Sequence, residues 1–204
     1  MTQIKICGMT RRKDIEKAVE LRVDALGFIL AKSPRQVKLE QVAQLTTDIP
    51  PFVARVGVVV DPDSQLMERI LASHLFDYLQ FHGNEKPGIL KRCPLMRVKA
   101  ISISTPEDLI QVEKYRDCVD YFLFDTKVND RRGGTGEVFN WDYLQDINPG
   151  LPIILAGGLG PNNIKSALKQ VKPAAVDLNS RLESEPGVKD LRLMEETVGK
   201  INSN

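Results

Sequence analysis

The chain has 204 residues, which is the length of one domain with room for a sizeable hydrophobic core. Its 28 Lys and Arg residues nearly balance 27 Asp and Glu residues, so its charge predicts no attraction to nucleic acid or to an anionic membrane. With 42% hydrophobic residues, the chain falls among globular proteins and outside the disordered and fibrous classes.

No apolar run approaches the ~20 residues of a membrane span, and the first residues lack the apolar core of a signal peptide. The three cysteines, Cys7, Cys93 and Cys118, are odd in number and widely spaced, which fits neither a disulfide framework nor a zinc motif. We therefore expect a cytoplasmic protein in a reducing compartment.

Short apolar runs alternate with stretches of helical periodicity along the whole chain. The predicted strands are Gln3–Cys7, Ala25–Leu30, Val53–Val60, Tyr78–Phe81, Met96–Ile101, Tyr121–Phe124, Ile153–Leu155 and Ala174–Leu178. The helices predicted after them in turn are Arg12–Leu21, Leu39–Leu45, Ser64–Leu71, a brief helix after Gly83, Thr105–Tyr115, Trp141–Leu144, Pro161–Val171 and Lys189–Val198.

Continuous apolar runs such as Val56–Val60 are typical of strands buried on both faces, as in parallel sheets. Strict alternation of strands and helices favours an α/β fold, and eight units predict one closed (β/α)₈ barrel over residues 1–204. The alternative is an open doubly wound sheet, which has roughly five or six strands and would leave some of these runs unexplained.

Active sites of such barrels lie at the C-terminal ends of the strands. Cys7 ends the first strand, where a thiolate acts as a base or nucleophile, although a free cysteine is also a common core residue. Asp125 follows four apolar residues, so partial desolvation should favour its protonated form and suit it to general-acid work; the alternative is a loop-capping aspartate.

Two further side chains are candidates at the same end. Arg35 follows the second strand and suits a bidentate grip on a carboxylate or phosphate, with a solvated surface arginine as the alternative. His82 stands at the end of the fourth strand. It is a candidate acid, base or hydrogen-bonding residue in the wall of the site, and the alternative is a hydrogen-bonded structural histidine. No carboxylate is spaced with His82 or His74 for metal binding.

Loops after the last two strands carry the pattern of a phosphate site. Gly157 and Gly158 follow the seventh strand, and Asn179 and Ser180 follow the eighth, each pair before a predicted helix. In this fold such loops and a helix N-terminus commonly bind phosphate. The polar segment 127–136, with its glycines, is the longest loop at this end and is either a mobile lid or a flexible turn.

Six blocks in this order resemble the phosphoribosylanthranilate isomerase family over nearly the whole chain. They are Lys5-Ile6-Cys7-Gly8-Met9-Thr10, Gly27-Phe28 with Ser33-Pro34-Arg35-Gln36-Val37, Gln80-Phe81-His82-Gly83, Phe124-Asp125, Gly133-Gly134-Thr135-Gly136 and Leu155-Ala156-Gly157-Gly158-Leu159. The resemblance implies a (β/α)₈ barrel without cofactor or metal, a small phosphorylated substrate, and no nucleic-acid or membrane partner. It leaves a monomer and a homodimer both open.

The reaction that the resemblance implies is the Amadori rearrangement of N-(5-phosphoribosyl)anthranilate to 1-(2-carboxyphenylamino)-1-deoxyribulose 5-phosphate in tryptophan biosynthesis. It makes Asp125 the general acid, Cys7 the general base and Arg35 the partner of the anthranilate carboxylate. The remaining expected contacts are substrate binding by His82, Gly134 and Asp177, and phosphate binding by Gly157, Gly158, Asn179, Ser180 and Arg181.

The chain departs from the family's usual pattern after the eighth strand. It reads Asp177-Leu178-Asn179-Ser180-Arg181-Leu182-Glu183, where the family more often has Asp-Val-Ser-Ser-Gly-Val-Glu. Arg181 either adds a charged contact to the phosphate or points to solvent.

Two other functions remain as alternatives. A related sugar-phosphate isomerase of histidine biosynthesis typically uses two aspartates, so Cys7 disfavours it. A non-catalytic binder of phosphorylated metabolites is disfavoured because Cys7 and Asp125 are both present.

Overall fold

The structure is a computed structural model that describes residues 1–126, 141–144, 147 and 149–203. Eight parallel strands form a closed barrel in which each strand pairs with the next along the chain and the eighth pairs with the first. The strands are β1 (Gln3–Ile6), β2 (Ala25–Ile29), β3 (Ala54–Val59), β4 (Tyr78–Phe81), β5 (Met96–Ile103), β6 (Tyr121–Thr126), β7 (Ile153–Leu155) and β8 (Ala175–Leu178). The predicted (β/α)₈ barrel is confirmed.

Helices lie between the strands, as the alternating pattern predicts. They are α1 (Arg12–Glu20), α2 (Leu39–Leu45), α3 (Ser64–Ser73), α4 (Pro87–Lys91), α5 (Gln111–Tyr115), α6 (Ile164–Val171) and α7 (Leu191–Asn202). Single 3₁₀ segments cover Pro106–Ile110, Arg116–Cys118, Trp141–Leu144 and Ser180–Leu182. None of the helices in the described ranges is long and apolar enough to cross a membrane.

Four predicted helices differ from what the structure shows, one of them α6, which begins at Ile164 rather than Pro161. The helix predicted at Trp141–Leu144 is a 3₁₀ turn, and the one predicted over Thr105–Tyr115 begins as the 3₁₀ segment that a proline opens. The last helix begins at Leu191 rather than Lys189. A hairpin of β9 (Glu183–Glu185) and β10 (Val188–Lys189) uses the residues before it.

Side chains alternate between the two faces of each barrel strand. On β1, Ile4 and Ile6 join the large cluster packed against the helices, whereas Lys5 lines the barrel interior. A smaller inner cluster is formed by Val98, Ala100, Leu123 and Ala156. Because side chains on one face repeat every two residues, a polar interior residue such as Lys5 lies directly beneath the residue at the C-terminal end of the same strand.

Candidate active site

A cavity of about 160 Å³ opens at the C-terminal ends of the strands. It is lined by most of the residues that the sequence singled out, namely Cys7, His82, Asp125, Gly157, Gly158, Asp177, Asn179, Ser180 and Arg181. Arg35 lies beside this set, as described below. Gly134 and the glycine-rich segment predicted as a lid lie outside the described residues.

Cys7 lies one residue beyond β1 and packs against β2. A Cβ atom on Gly27 would come within 2.7 Å of the Cys7 Sγ, so this position of β2 has room only for glycine. The cysteine is 4% exposed. Burial raises the pKa of Cys7, against the opposing effect of the Lys5 and Lys189 ammonium groups. The resting side chain is therefore a neutral thiol, whereas a general base requires the thiolate.

Lys5 lies two residues before Cys7 and faces the same side of β1. Its Nζ donates to Asp177 Oδ2 at 2.7 Å, and the two residues are direct partners in the β1–β8 ladder. Both side chains are 7% exposed. Burial disfavours the ammonium, but Asp177 and Cys7 outweigh burial and raise the pKa of Lys5. A buried cation therefore lies next to the thiol.

Arg35 makes a bidentate ion pair with Glu183 rather than presenting a free guanidinium to the cavity. Its Nη2 lies 2.6 Å from Glu183 Oε2 and its Nε lies 2.9 Å from Oε1. Lys189 Nζ also donates to Glu183 Oε1 at 2.9 Å and to Asn179 Oδ1 at 2.9 Å. Burial disfavours the Glu183 carboxylate, but Arg35 and Lys189 outweigh burial and lower its pKa. The predicted contact of Arg35 with a substrate carboxylate stays a prediction.

Asp125 stands on the side of the mouth formed by β4 and β6. Its Oδ2 lies 3.3 Å from His82 Nε2, and each side chain is 30% exposed. The carboxyl group is thus more open to solvent than the four apolar residues before it predict. Gln80, which is 2% exposed, lies beneath His82, with Nε2 3.4 Å from His82 Nδ1.

A buried ion pair fixes the backbone around His82 from the helix side of the sheet. Lys99 Nζ donates to Glu85 Oε2 at 3.0 Å and to the carbonyl oxygens of Phe81 and Gly83 at 3.1 and 2.6 Å. The Tyr115 hydroxyl donates to the Glu85 carbonyl at 2.9 Å. Since these bonds clamp the residues on both sides of His82, the histidine stands on a rigid support.

The predicted phosphate loops meet at one corner of the cavity. Gly157 and Gly158 have φ values of 87° and 62°, a region that glycine enters without strain. The helix after them begins at Ile164, three residues later than predicted, and Ser180 begins a 3₁₀ turn rather than an α-helix. The loop backbone, more than a helix end, therefore faces this corner.

Arg181 also lines this corner of the cavity. A Cβ atom on Gly160 would lie 2.8 Å from the Arg181 Cβ, so the stem of the arginine packs against that glycine. The residue is exposed, so the contact of its guanidinium with the phosphate stays a prediction.

Sequence reasoning missed four charged or polar residues of this region: Lys5, Gln80, Glu183 and Lys189. Two of them had a detectable signal, because Lys5 and Gln80 stand two residues before Cys7 and His82 in predicted strands. Glu183 and Lys189 gave no such signal, since they belong to the hairpin that was predicted as loop and helix.

The family model for N-(5'-phosphoribosyl)anthranilate (PRA) isomerase matches residues 4–200. The chain belongs to the phosphoribosylanthranilate isomerase family. Within it, N-(5'-phosphoribosyl)anthranilate isomerase of Petrotoga mobilis is 51% identical over 203 residues, covering 100% of this chain and 98% of the relative. The chain is accordingly an isomerase of tryptophan biosynthesis.

Solved structures of the same family share the barrel. Phosphoribosylanthranilate isomerase from Thermotoga maritima is 31% identical with a TM-score of 0.92, and covers 100% of both chains. A structure of monomers generated from that dimeric enzyme is 28% identical with a TM-score of 0.88, again over 100% of both chains. A family member in complex with reduced 1-(o-carboxyphenylamino)-1-deoxyribulose 5-phosphate is 29% identical with a TM-score of 0.86 over 100% of both chains.

Proposed function

We propose that the chain catalyses the Amadori rearrangement of N-(5-phosphoribosyl)anthranilate with Asp125 as general acid and Cys7 as general base. Asp125 gives its proton to the furanose ring oxygen while the bond from that oxygen to C1′ breaks. The nitrogen lone pair then forms the C1′=N bond of a Schiff base. Cys7 takes the C2′ proton, and the enolamine that results tautomerises to the ketone.

The observation that carries this proposal is the position of the two groups. Cys7 follows β1 and Asp125 is the penultimate residue of β6, so they line one cavity from strands that are not neighbours in the barrel. A sugar ring between them would meet an acid on one side and a base on the other. The related structure that holds a reduced form of the product is consistent with this use of the fold.

Cys7 needs an activating group because its resting form is the thiol. The Lys5 ammonium lies on the same face of β1 and favours the thiolate, while Asp177 holds the ammonium in place. The Schiff base acidifies the C2′ proton, so a thiolate is a sufficient base for this step.

The phosphate of the substrate would bind at Gly157, Gly158, Asn179, Ser180 and Arg181. Backbone N–H groups of these loops and the Arg181 guanidinium are suited to an anion. His82, Asp177 and Gly134 remain proposed substrate contacts, as does Arg35 at the anthranilate carboxylate. Binding energy at the phosphate would hold the sugar between acid and base.

Consumption of phosphoribosylanthranilate, followed by loss of anthranilate-type fluorescence, tests the activity. We expect Cys7→Ser to bind substrate but to lose nearly all turnover, because the hydroxyl pKa is too high for a base near neutral pH. Cys93→Ser is the matched control, since Cys93 is equally buried but lies outside the cavity lining. Turnover by Cys7→Ser close to that of Cys93→Ser would remove the thiolate from the mechanism.

We further propose a homodimer, as in the dimeric Thermotoga maritima enzyme. Phe52 is 97% exposed in the loop before β3, at the end of the barrel opposite the cavity. Sedimentation should show that Phe52→Glu dissociates the dimer, whereas Ile110→Glu, at a residue 78% exposed near the other end, does not. A wild-type monomer would contradict this proposal.

The cytoplasmic location also stays a prediction.

A further inference from the structure

Gln80 carries a buried polar atom that the described residues leave without a partner. Its Nε2 lies 3.4 Å from His82 Nδ1, but its Oε1 has no hydrogen-bond partner in the described part of the chain. The residue is 2% exposed and lies in the barrel interior beneath His82. An unsatisfied buried carbonyl oxygen is costly, so its presence beneath a site histidine calls for an explanation.

The amide has two orientations of nearly the same shape, related by a 180° rotation that exchanges oxygen and nitrogen. If the NH₂ group faces His82, Nδ1 must accept, so the neutral ring carries its proton on Nε2 and donates it to an ionised Asp125. If the oxygen faces His82, Nδ1–H donates to it. A second proton is then shared between His82 Nε2 and Asp125 Oδ2 across the 3.3 Å contact.

Only the second arrangement has a proton to give to the substrate. We propose that Gln80 is a positioning residue: its Oε1 accepts from His82 Nδ1–H and holds the His82–Asp125 pair in the proton-loaded form. This inference rests on the proposed role of Asp125 as general acid. The proton leaves from Asp125 to the ring oxygen, the pair changes from neutral to singly negative, and solvent water restores the proton before the next turnover.

The charged groups around His82 do not by themselves determine which of its ring nitrogens carries a proton. Within the described ranges, three carboxylates lie near it: Asp125, Asp177 across the barrel, whose charge is matched by Lys5, and Asp61, whose Oδ1 accepts from the Asn84 backbone N–H at 2.8 Å. Behind the backbone, the Lys99–Glu85 pair is likewise balanced. Because no excess cation faces the ring there, the amide decides which ring nitrogen is protonated.

Nitrogen-15 NMR of the imidazole rings tests the proposal directly. The chain has only two histidines, and the His74→Asn variant identifies the signals of His82 because His74 is exposed at the end of α3. We expect His82 Nδ1 of the wild-type protein to carry a proton at the pH of turnover. An unprotonated Nδ1 would overturn the proposal.

Two substitutions separate positioning from packing. Gln80→Met keeps a similar shape but removes the acceptor, so His82 should lose its Nδ1–H preference and kcat should fall about tenfold, with KM nearly unchanged. Gln80→Glu keeps an acceptor and should retain both Nδ1–H and at least a third of kcat. Leu123→Met, which alters the interior residue beneath Asp125, is the packing control.

A Gln80→Met protein with an unchanged His82 spectrum and kcat would overturn the proposal, as would a loss of kcat equally large in Leu123→Met. Failure of the proposed function gives a different result. Asp125→Asn with wild-type turnover would remove Asp125 as the acid, whatever the protonation of His82.

Discussion

The two sides of the cavity mouth differ in how their charges are held. On the side of β1 and β8, Lys5 and Asp177 are each 7% exposed and paired at 2.7 Å. On the side of β4 and β6, His82 and Asp125 are each 30% exposed and 3.3 Å apart. We call the first the base side, because it holds Cys7, and the second the acid side, because it holds Asp125. The charges of the base side are buried and neutralise each other, whereas those of the acid side are accessible to solvent. The fold thus keeps the resting Cys7 side chain a neutral thiol, whereas the His82–Asp125 pair is open to proton uptake from solvent.

Substitutions on the acid side should therefore reduce catalysis strongly and change the stability of the fold little. We expect Asp125→Asn to lower kcat about 10²–10⁴-fold, the usual contribution of a general acid, because an amide cannot deliver a proton. The midpoint of urea unfolding should change little, since the side chain is 30% exposed. A large loss of stability with nearly normal kcat would reverse the comparison.

Substitutions on the base side should lower the free energy of unfolding. Lys5→Met leaves the Asp177 carboxylate buried without its cation, which should cost about 3–5 kcal/mol of unfolding free energy. The control is Arg12→Met, because the Arg12–Asp48 pair, with side chains 46% and 75% exposed, is worth about 0–1 kcal/mol.

Combining Lys5→Met with Asp177→Asn sharpens the same test. The double variant should recover part of the lost stability, because the uncompensated charge has been removed. Equal unfolding free energies for Lys5→Met and Arg12→Met would show that the buried pair contributes no more than a surface pair.

The hairpin beside the base side predicts a dependence on pH. The folded-state pKa of Glu183 lies below its ordinary value of 4.5, so its ion pairs stabilise the fold fully above that pH. This contribution is lost as the pH falls through the lower, folded-state pKa. Urea unfolding at neutral and acidic pH should show a smaller loss of stability for Glu183→Gln than for the wild type.

Glu113→Gln is the matched control for that measurement, because Glu113 forms an exposed ion pair with Arg116. Its unfolding free energy should follow the wild type at every pH. If Glu183→Gln also followed the wild type, the cluster of Arg35, Glu183 and Lys189 would not stabilise the fold through charge.

The smallest expected effect is at the phosphate corner. Inorganic phosphate should compete with the substrate, and Arg181→Gly should weaken that inhibition by about 1–3 kcal/mol, the scale of a charged hydrogen bond. Titration of phosphate against both proteins measures the difference. Identical inhibition constants would mean that the loop backbone alone binds the anion.

Much of the fold could be predicted because local patterns determine it. Alternating apolar runs and helical stretches gave eight strands, and the rule that barrel sites lie at strand ends gathered Cys7, Asp125 and the phosphate loops. The Arg35–Glu183 pair could not be predicted, since its partners are 148 residues apart and meet only through barrel closure. The extent of Asp125 exposure likewise depends on neighbouring strands.

The central claim is a division of labour: Asp125 opens the ring and Cys7 acts afterwards. The most direct test is to mix each variant, in excess, with phosphoribosylanthranilate and sodium cyanoborohydride, then detect the reduced Schiff base by mass spectrometry. Cys7→Ser should accumulate the reduced amine, because ring opening proceeds and proton removal does not. Asp125→Asn should yield no more than a reaction without enzyme. Accumulation in Asp125→Asn but not in Cys7→Ser would contradict the account.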